Sequence, residues 1–187
     1  MKIFLIGLIY LAQIKTVYIQ PLGNVDAKYI NTVKKSIESF YGFPCKVRPA
    51  VEHNTSLYGR SKTRYSADKI LEHFKSEDLV IVVTERDIAI ALNRSHPEYG
   101  IFGLSSMYQN DCVVSTFRLN RKSTNSEQIF ERLSKITIHE IGHNLGLKHC
   151  YKDKSCLMSA ANGTIAQIDF EKIHFCKTCI NKLNQVK

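Results

Sequence analysis

Residues 126–149 read SEQIFERLSKITIHEIGHNLGLKH. Ile129, Leu133, Ile136, Ile141 and Leu145 recur at mainly helical spacing, which predicts one long helix with those five residues buried. Thr124 and Glu127 have the spacing of a capping box at its start, and Gly146 supplies its stop. From residue 139 the stretch matches HExxHxxGxxH at every fixed position. His139 and His143 are four residues apart, so a helix projects both imidazoles from one face. Glu140 is offset by about 100°, a position that can reach a metal-held water without replacing a histidine ligand. Gly146 lets the backbone break and turn back, bringing His149 to the same metal. Three neutral imidazoles leave the fourth tetrahedral position to water, the arrangement of a catalytic zinc rather than a structural one. HExxH alone arises by chance on amphipathic helices, where both histidines would be surface residues. The glycine and third histidine separate this chain from that case.

The six cysteines carry the second signal. They stand at 45, 112, 150, 156, 176 and 179; four fall in the last 38 residues, and the final two form a CxxC pair. In a chain of 187 residues, large enough for a hydrophobic core of its own, such clustering reads as a metal knot more readily than as a disulfide framework. Two disulfides are the alternative, and an oxidising compartment would favour them. Cys45 and Cys112 are left over and read as small buried hydrophobes.

Upstream, residues 16–23 form a strand ending at a Pro/Gly turn, 26–40 an amphipathic helix, and 45–51 a short strand. Residues 53–62 are polar and turn-rich, and 65–74 form a second helix with Ser66 as N-cap. Residues 79–84, Leu-Val-Ile-Val-Val-Thr, are a continuous β-branched run and so a strand covered on both faces. Residues 86–100 read as irregular, 101–107 and 112–117 as two strands joined by a turn at 109–111, and 118–125 as a basic loop. Strand, helix, strand, helix, strands, helix and a cysteine-rich tail describe an α/β (α+β) single domain.

Composition narrows the classes. Apolar residues are 44% and charged residues 23%, which rules out a disordered chain. No apolar run reaches about 18 residues, so no stable membrane span is expected. The excess of 26 basic over 17 acidic residues, net +9, is spread along the chain without an aromatic-interleaved pattern or dense arm, and no nucleic-acid partner is expected. Residues 1–12, MKIFLIGLIYLA, have the lysine and apolar stretch of a short signal peptide, although bulky Tyr10 and Leu11 make a poor cleavage site. A buried first strand is the alternative. Export is favoured slightly over a cytoplasmic location, with 1–15 as signal peptide or extension and 16–187 as the domain.

The histidine motif is that of the metzincin metallopeptidases. His149-Cys150, Cys156-Leu157-Met158 and Cys176-Lys-Thr-Cys179 narrow the likeness: the sequence resembles the archaemetzincin family, peptidase family M54. Weaker similarity runs through 18–23, 64–71 and 113–119, so the resemblance covers about residues 16 to 182. Five residues separate Cys150 from Cys156, where the family pattern has four. The resemblance implies a metzincin-like catalytic domain: a mixed twisted sheet, an active-site helix and a cysteine-rich zinc-binding C-terminal segment. It assigns His139, His143 and His149 to a catalytic zinc and Glu140 to the general base that activates the zinc-bound water. Met158 becomes the methionine of the Met-turn, packing beneath the ligands, and Cys150, Cys156, Cys176 and Cys179 hold a second, structural zinc. Two Zn2+ per chain and a monomeric peptidase acting on peptide or protein are then expected. Substrate would lie extended along an edge strand around 101–107, with Tyr108 as a weak candidate to aid the oxyanion. The alternative is a metal-stabilised peptide- or protein-binding module with little or no turnover. A basic zinc-ribbon-like nucleic-acid binder would leave the histidine motif unexplained.

Overall fold

A computed structural model describes residues 16–185 except 94, 96, 97, 124 and 162. The signal-peptide reading of 1–15 and the Thr124 half of the capping box lie outside the described residues. Five strands form the main sheet: β1 (Val17–Leu22), β2 (Cys45–Val47), β4 (Leu79–Thr84), β7 (Gly103–Ser105) and β8 (Asp111–Ser115), in the order β2-β1-β4-β8-β7. The first four in that order pair in parallel, and β7 closes one edge antiparallel to β8. A parallel sheet needs cover on both faces. β4 shows why: Ile81 and Val83 pack with Val33, Ile37, Leu133 and Ile141 on one side, while Val80 and Val82 pack with Ile70 and Leu71 on the other. All six β4 residues are buried, as the unbroken β-branched run requires.

Helix α1 (Ala27–Tyr41) and the long α3 (Ser126–Asn144) cover the first face, and α2 (Ala67–His73) the second. Asp26 caps α1 by accepting from the Lys28 amide, and Gly42 ends it at φ 71°. Tyr41 ties α1 to α3, its hydroxyl donating to the Ile138 carbonyl at 2.7 Å. Asn125 caps α3 by accepting from the Gln128 amide. Of the five apolar residues expected inside α3, four are buried and Ile129 is half-buried against the core.

Four readings need correction. Residues 86–100 are not irregular throughout: β5 (Ile88–Ile90) joins β3 (Tyr65–Ser66) and β6 (Tyr99–Ile101) in a second sheet. That pairing takes residues 65 and 66 out of the helix, which starts at Ala67 with Ser66 as its cap. Residues 101–107 are not one strand. Phe102 turns into the core at 6% exposure and splits the run into β6 and β7, in different sheets. Finally, the tail contains two short helices, α4 (Ile165–Phe170) and α5 (Lys177–Leu183). Cys112 is buried as expected, but Cys45, on the outer strand β2, is half-buried. No helix among the described residues is long and apolar enough to cross a membrane.

Candidate active site

Helix α3 runs into the site and stops there. The Gly146 amide donates to the His143 carbonyl at 2.8 Å and the Leu147 amide to the Gly142 carbonyl at 2.9 Å. These are the paired bonds of a Schellman stop, which puts a left-handed residue between them; Gly146 has φ 88°. The chain then doubles back, and His149 comes within 4.8 Å, ring centroid to centroid, of His143. The ligand atoms of His139, His143 and His149 all lie within 4.8 Å of one another.

Two backbone carbonyls settle the protonation of the helix histidines. His139 Nδ1 lies 2.7 Å from the Leu157 oxygen and His143 Nδ1 lies 2.6 Å from the Leu147 oxygen. A carbonyl oxygen only accepts, so each Nδ1 carries the proton and each Nε2 presents a lone pair. Burial pushes His139 down to about 3, aided by neighbouring His143, and pushes His143 down to about 4; both rings are therefore neutral at neutral pH. The two Nε2 atoms stand 3.0 Å apart. Two lone pairs at that distance, without a proton between them, fit a shared cation, and zinc accepts imidazole nitrogens at about 2.0–2.1 Å.

Glu140 is buried beside them. Its Oε2 accepts from the Ser105 hydroxyl at 2.8 Å, and a methyl at Gly103 would stand 2.6 Å from its Oε1. Gly103 and Ser105 both belong to β7, so the edge strand runs directly past the carboxylate. Burial raises Glu140 to about 7 in the metal-free protein, with the Ser105 bond opposing. Met158 is wholly buried under α3, and its Sδ would lie 2.6 Å from a methyl at Gly142. Tyr108 is 60% exposed, and its ring lies against Gly146.

The four tail cysteines meet in one place. Cys150 and Cys176 sulfurs are 3.6 Å apart, Cys156 and Cys179 sulfurs 3.8 Å apart, and all four sulfurs lie within 4.8 Å of one another. Four sulfurs at about 2.3 Å from a zinc ion would be about 3.8 Å from each other, so the cluster fits a closed tetrahedral site. The segment between these cysteines also serves the histidines. The Cys150 amide donates to the Met158 carbonyl at 2.7 Å, next to the Leu157 carbonyl that holds His139.

Every site residue expected from the motif is therefore brought to one of two clusters or the turn between them. Ser105, Gly103 and the two carbonyls left no mark in the sequence, because each acts across a turn or across strands. A period-two reading of a longer β7 would have put Gly103 and Ser105 on one face; three residues are too few for that signal.

A helix bearing two neutral histidines, a third after a glycine break and a buried glutamate against a sheet edge together define the centre of a metallopeptidase. The profile of Peptidase family M54 matches residues 3–185, and the chain belongs to that family, the archaemetzincins. The archaemetzincin of Methanocaldococcus jannaschii is 32% identical over 179 residues, 92% of this chain and 95% of that one. The crystal structure of archaemetzincin from Archaeoglobus fulgidus, complexed with malonate, superposes with a TM-score of 0.78 at 30% identity, covering 89% of this chain and 99% of that one. The archaemetzincin structure from Methanopyrus kandleri shares the fold with a TM-score of 0.75 at 22% identity, covering 93% and 96%. The chain is accordingly a metallopeptidase, as the resemblance in its motifs implied.

Proposed function

We propose that this protein hydrolyses peptide bonds with His139, His143 and His149 holding a catalytic zinc, Glu140 as general base, and Cys150, Cys156, Cys176 and Cys179 holding a structural zinc. The observation that carries the reading is the pair of Nδ1–carbonyl bonds, which free both Nε2 lone pairs toward one point. Zinc bound there supplies Lewis acidity, acidifying water and polarising the scissile carbonyl.

The remaining work falls to the chain's own residues. Glu140 Oε2 is held by Ser105, while Oε1 has no hydrogen bond among the described residues and takes the proton of the attacking water. The carboxylate accepts that proton, and Glu140 then returns it to the leaving amine. β7 offers its open edge to an extended peptide, which would add as a further strand beside Glu140. The turn at 156–158 fixes His139 through Leu157 and supports α3 through Met158, whose thioether is too weak a donor to displace an imidazole. The sulfur separations support thiolate ligation of the second ion over two disulfides.

Profiling of a peptide library with the zinc-loaded protein beside its Glu140→Ala variant tests the proposal. Cleavage by the parent, with retained zinc and melting behaviour but no cleavage in the variant, is expected. Equal turnover by the two would remove Glu140 from the mechanism.

A further inference from the structure

Beside the histidines lies a cavity of about 380 Å3, lined by His139, Glu140 and His149 and also by Glu171. The rest of its wall is largely apolar, with Leu92, Ile101, Phe102 and Ile136 among the contributors. Glu171 sits just past α4, where its amide donates to the Gln167 carbonyl at 3.0 Å, and only 3% of the residue is exposed. Apolar walls with a second buried carboxylate, apart from Glu140 at the reacting end, suit a long aliphatic stem that ends in a donor.

The charges around Glu171 bear on the nature of that donor. Arg132 is closed on Asp169 by two bonds of 2.6 and 2.7 Å and on the carbonyls of Leu119 and Arg121. Lys135 is closed on Glu131 at 2.7 Å and on the Ile168 carbonyl at 3.0 Å. Three acids, Glu131, Asp169 and Glu171, therefore face two bases. Glu171 is the acid left without an ion pair among the described residues. Its one hydrogen bond is from the Gln167 amide at 3.2 Å, and that amide also donates to the Lys154 carbonyl at 2.9 Å. A buried carboxylate without a contact ion pair is costly, and burial pushes this one up to about 7 against the opposing Gln167 bond and the more distant charge of Lys135. An incoming ammonium or guanidinium would give the ionised carboxylate the direct partner it lacks.

We propose that Glu171 is a specificity residue: it selects a lysine or arginine side chain next to the scissile bond, with the aliphatic stem along the apolar wall and the cationic end at the carboxylate. This rests on the peptidase reading above, since it places the cavity next to the reacting bond.

The experiment pairs turnover with binding. Zinc-loaded parent and Glu171→Gln protein are given the same peptide library, and each cleavage site is sequenced. In parallel, calorimetry compares two peptide hydroxamates that differ only in lysine against norleucine beside the metal-binding group. The parent should favour lysine or arginine at one flanking position. Glu171→Gln should lower the lysine-to-norleucine ratio by about 10–100-fold, the size expected for one charge-assisted hydrogen bond, while cleavage of neutral peptides persists. Zinc content and a melting curve confirm that the variant is folded. Cleavage without basic preference, or a preference that survives in Glu171→Gln, overturns the inference and leaves the peptidase reading intact. If the parent cleaves nothing, the peptidase reading fails, and the hydroxamate ratio alone decides whether Glu171 recognises a cation.

Discussion

Gly142 is the point at which the active-site helix touches the turn beneath it, so Gly142→Ala tests the coupling of the two. The added methyl would stand 2.6 Å from Met158 Sδ, 3.3 Å from Met158 Cε and 3.4 Å from Phe175 Cζ. Apolar atoms rest at about 3.5–4.0 Å, so the thioether must retreat by about 1 Å. Met158 is wholly buried with Cys156, Leu157 and Phe175, and it has little free space to retreat into. Overpacking of this kind costs about 1–3 kcal/mol, while replacing a helical glycine by alanine returns about 1 kcal/mol. The soft thioether absorbs part of the clash, so the expected net loss is at most about 2 kcal/mol, a fall of up to about 8 °C in melting temperature for a domain of this size. The decisive assay is a double-mutant cycle by thermal or urea unfolding of the zinc-loaded protein. Met158→Ala alone should cost about 2–5 kcal/mol by leaving a cavity. Combined with Gly142→Ala it should cost less than the sum of the two by about 1–2 kcal/mol, because the methyl then fills space. Additivity to within about 0.5 kcal/mol would refute the contact argued between helix and turn.

Further tests address the metals and the buried acid. Elemental analysis should find close to two zinc ions per chain, and a mild chelator should remove the open histidine-held ion first. About one zinc, with four cysteines unreactive until a reductant is added, would indicate disulfides instead. Cys176→Ser with Cys179→Ser should lower thermal stability and weaken zinc affinity at the histidines by about 10–100-fold together, since Leu157 and Met158 hold that site from within the cysteine loop. A zinc titration showing unchanged histidine affinity would mean the sites are independent. Glu171 has its folded pKa raised to about 7 from an ordinary 4.5, so its ionised form costs stability, and the parent loses stability as pH rises through that window. Glu171→Gln does not titrate, so its stability relative to the parent should climb between the ordinary value of 4.5 and about pH 7 and then level off in paired unfolding curves. A constant difference would show that the carboxyl is not held protonated by burial.

What could be read from the chain alone follows from the range of each interaction. Helix α3 and its histidines were legible because the apolar period and the motif spacing are both local. β4 was legible because six consecutive residues, five of them aliphatic, admit few other places in a fold. The second sheet was not legible: its strands are two or three residues long, and β5 finds its register only against Tyr65 and Ile101. The tail helices were missed because α4 buries Ile168 and α5 buries Cys179, one residue apiece, too few to set up a period. Glu171 carries no signal of its own in the sequence, and only the packing of α4 against α3 turns it inward. Ser105 and Glu140 are 35 residues apart, and their bond exists only once β7 has taken the sheet edge.

The Leu157 carbonyl carries a consequence for how the enzyme comes into being. The bond that sets the His139 tautomer comes from a loop held by cysteines that follow the histidine helix in the chain. A ribosome therefore delivers α3 before the Leu157 carbonyl that orients His139, whereas Ser105, which holds Glu140, has already emerged. On the proposed cysteine–zinc reading, His139 would be free to protonate the wrong nitrogen until Cys176 and Cys179 had emerged and closed on Cys150 and Cys156. Hydrolytic competence would then arrive late in synthesis, and a product truncated before residue 176 would be an inert fragment rather than a loose protease.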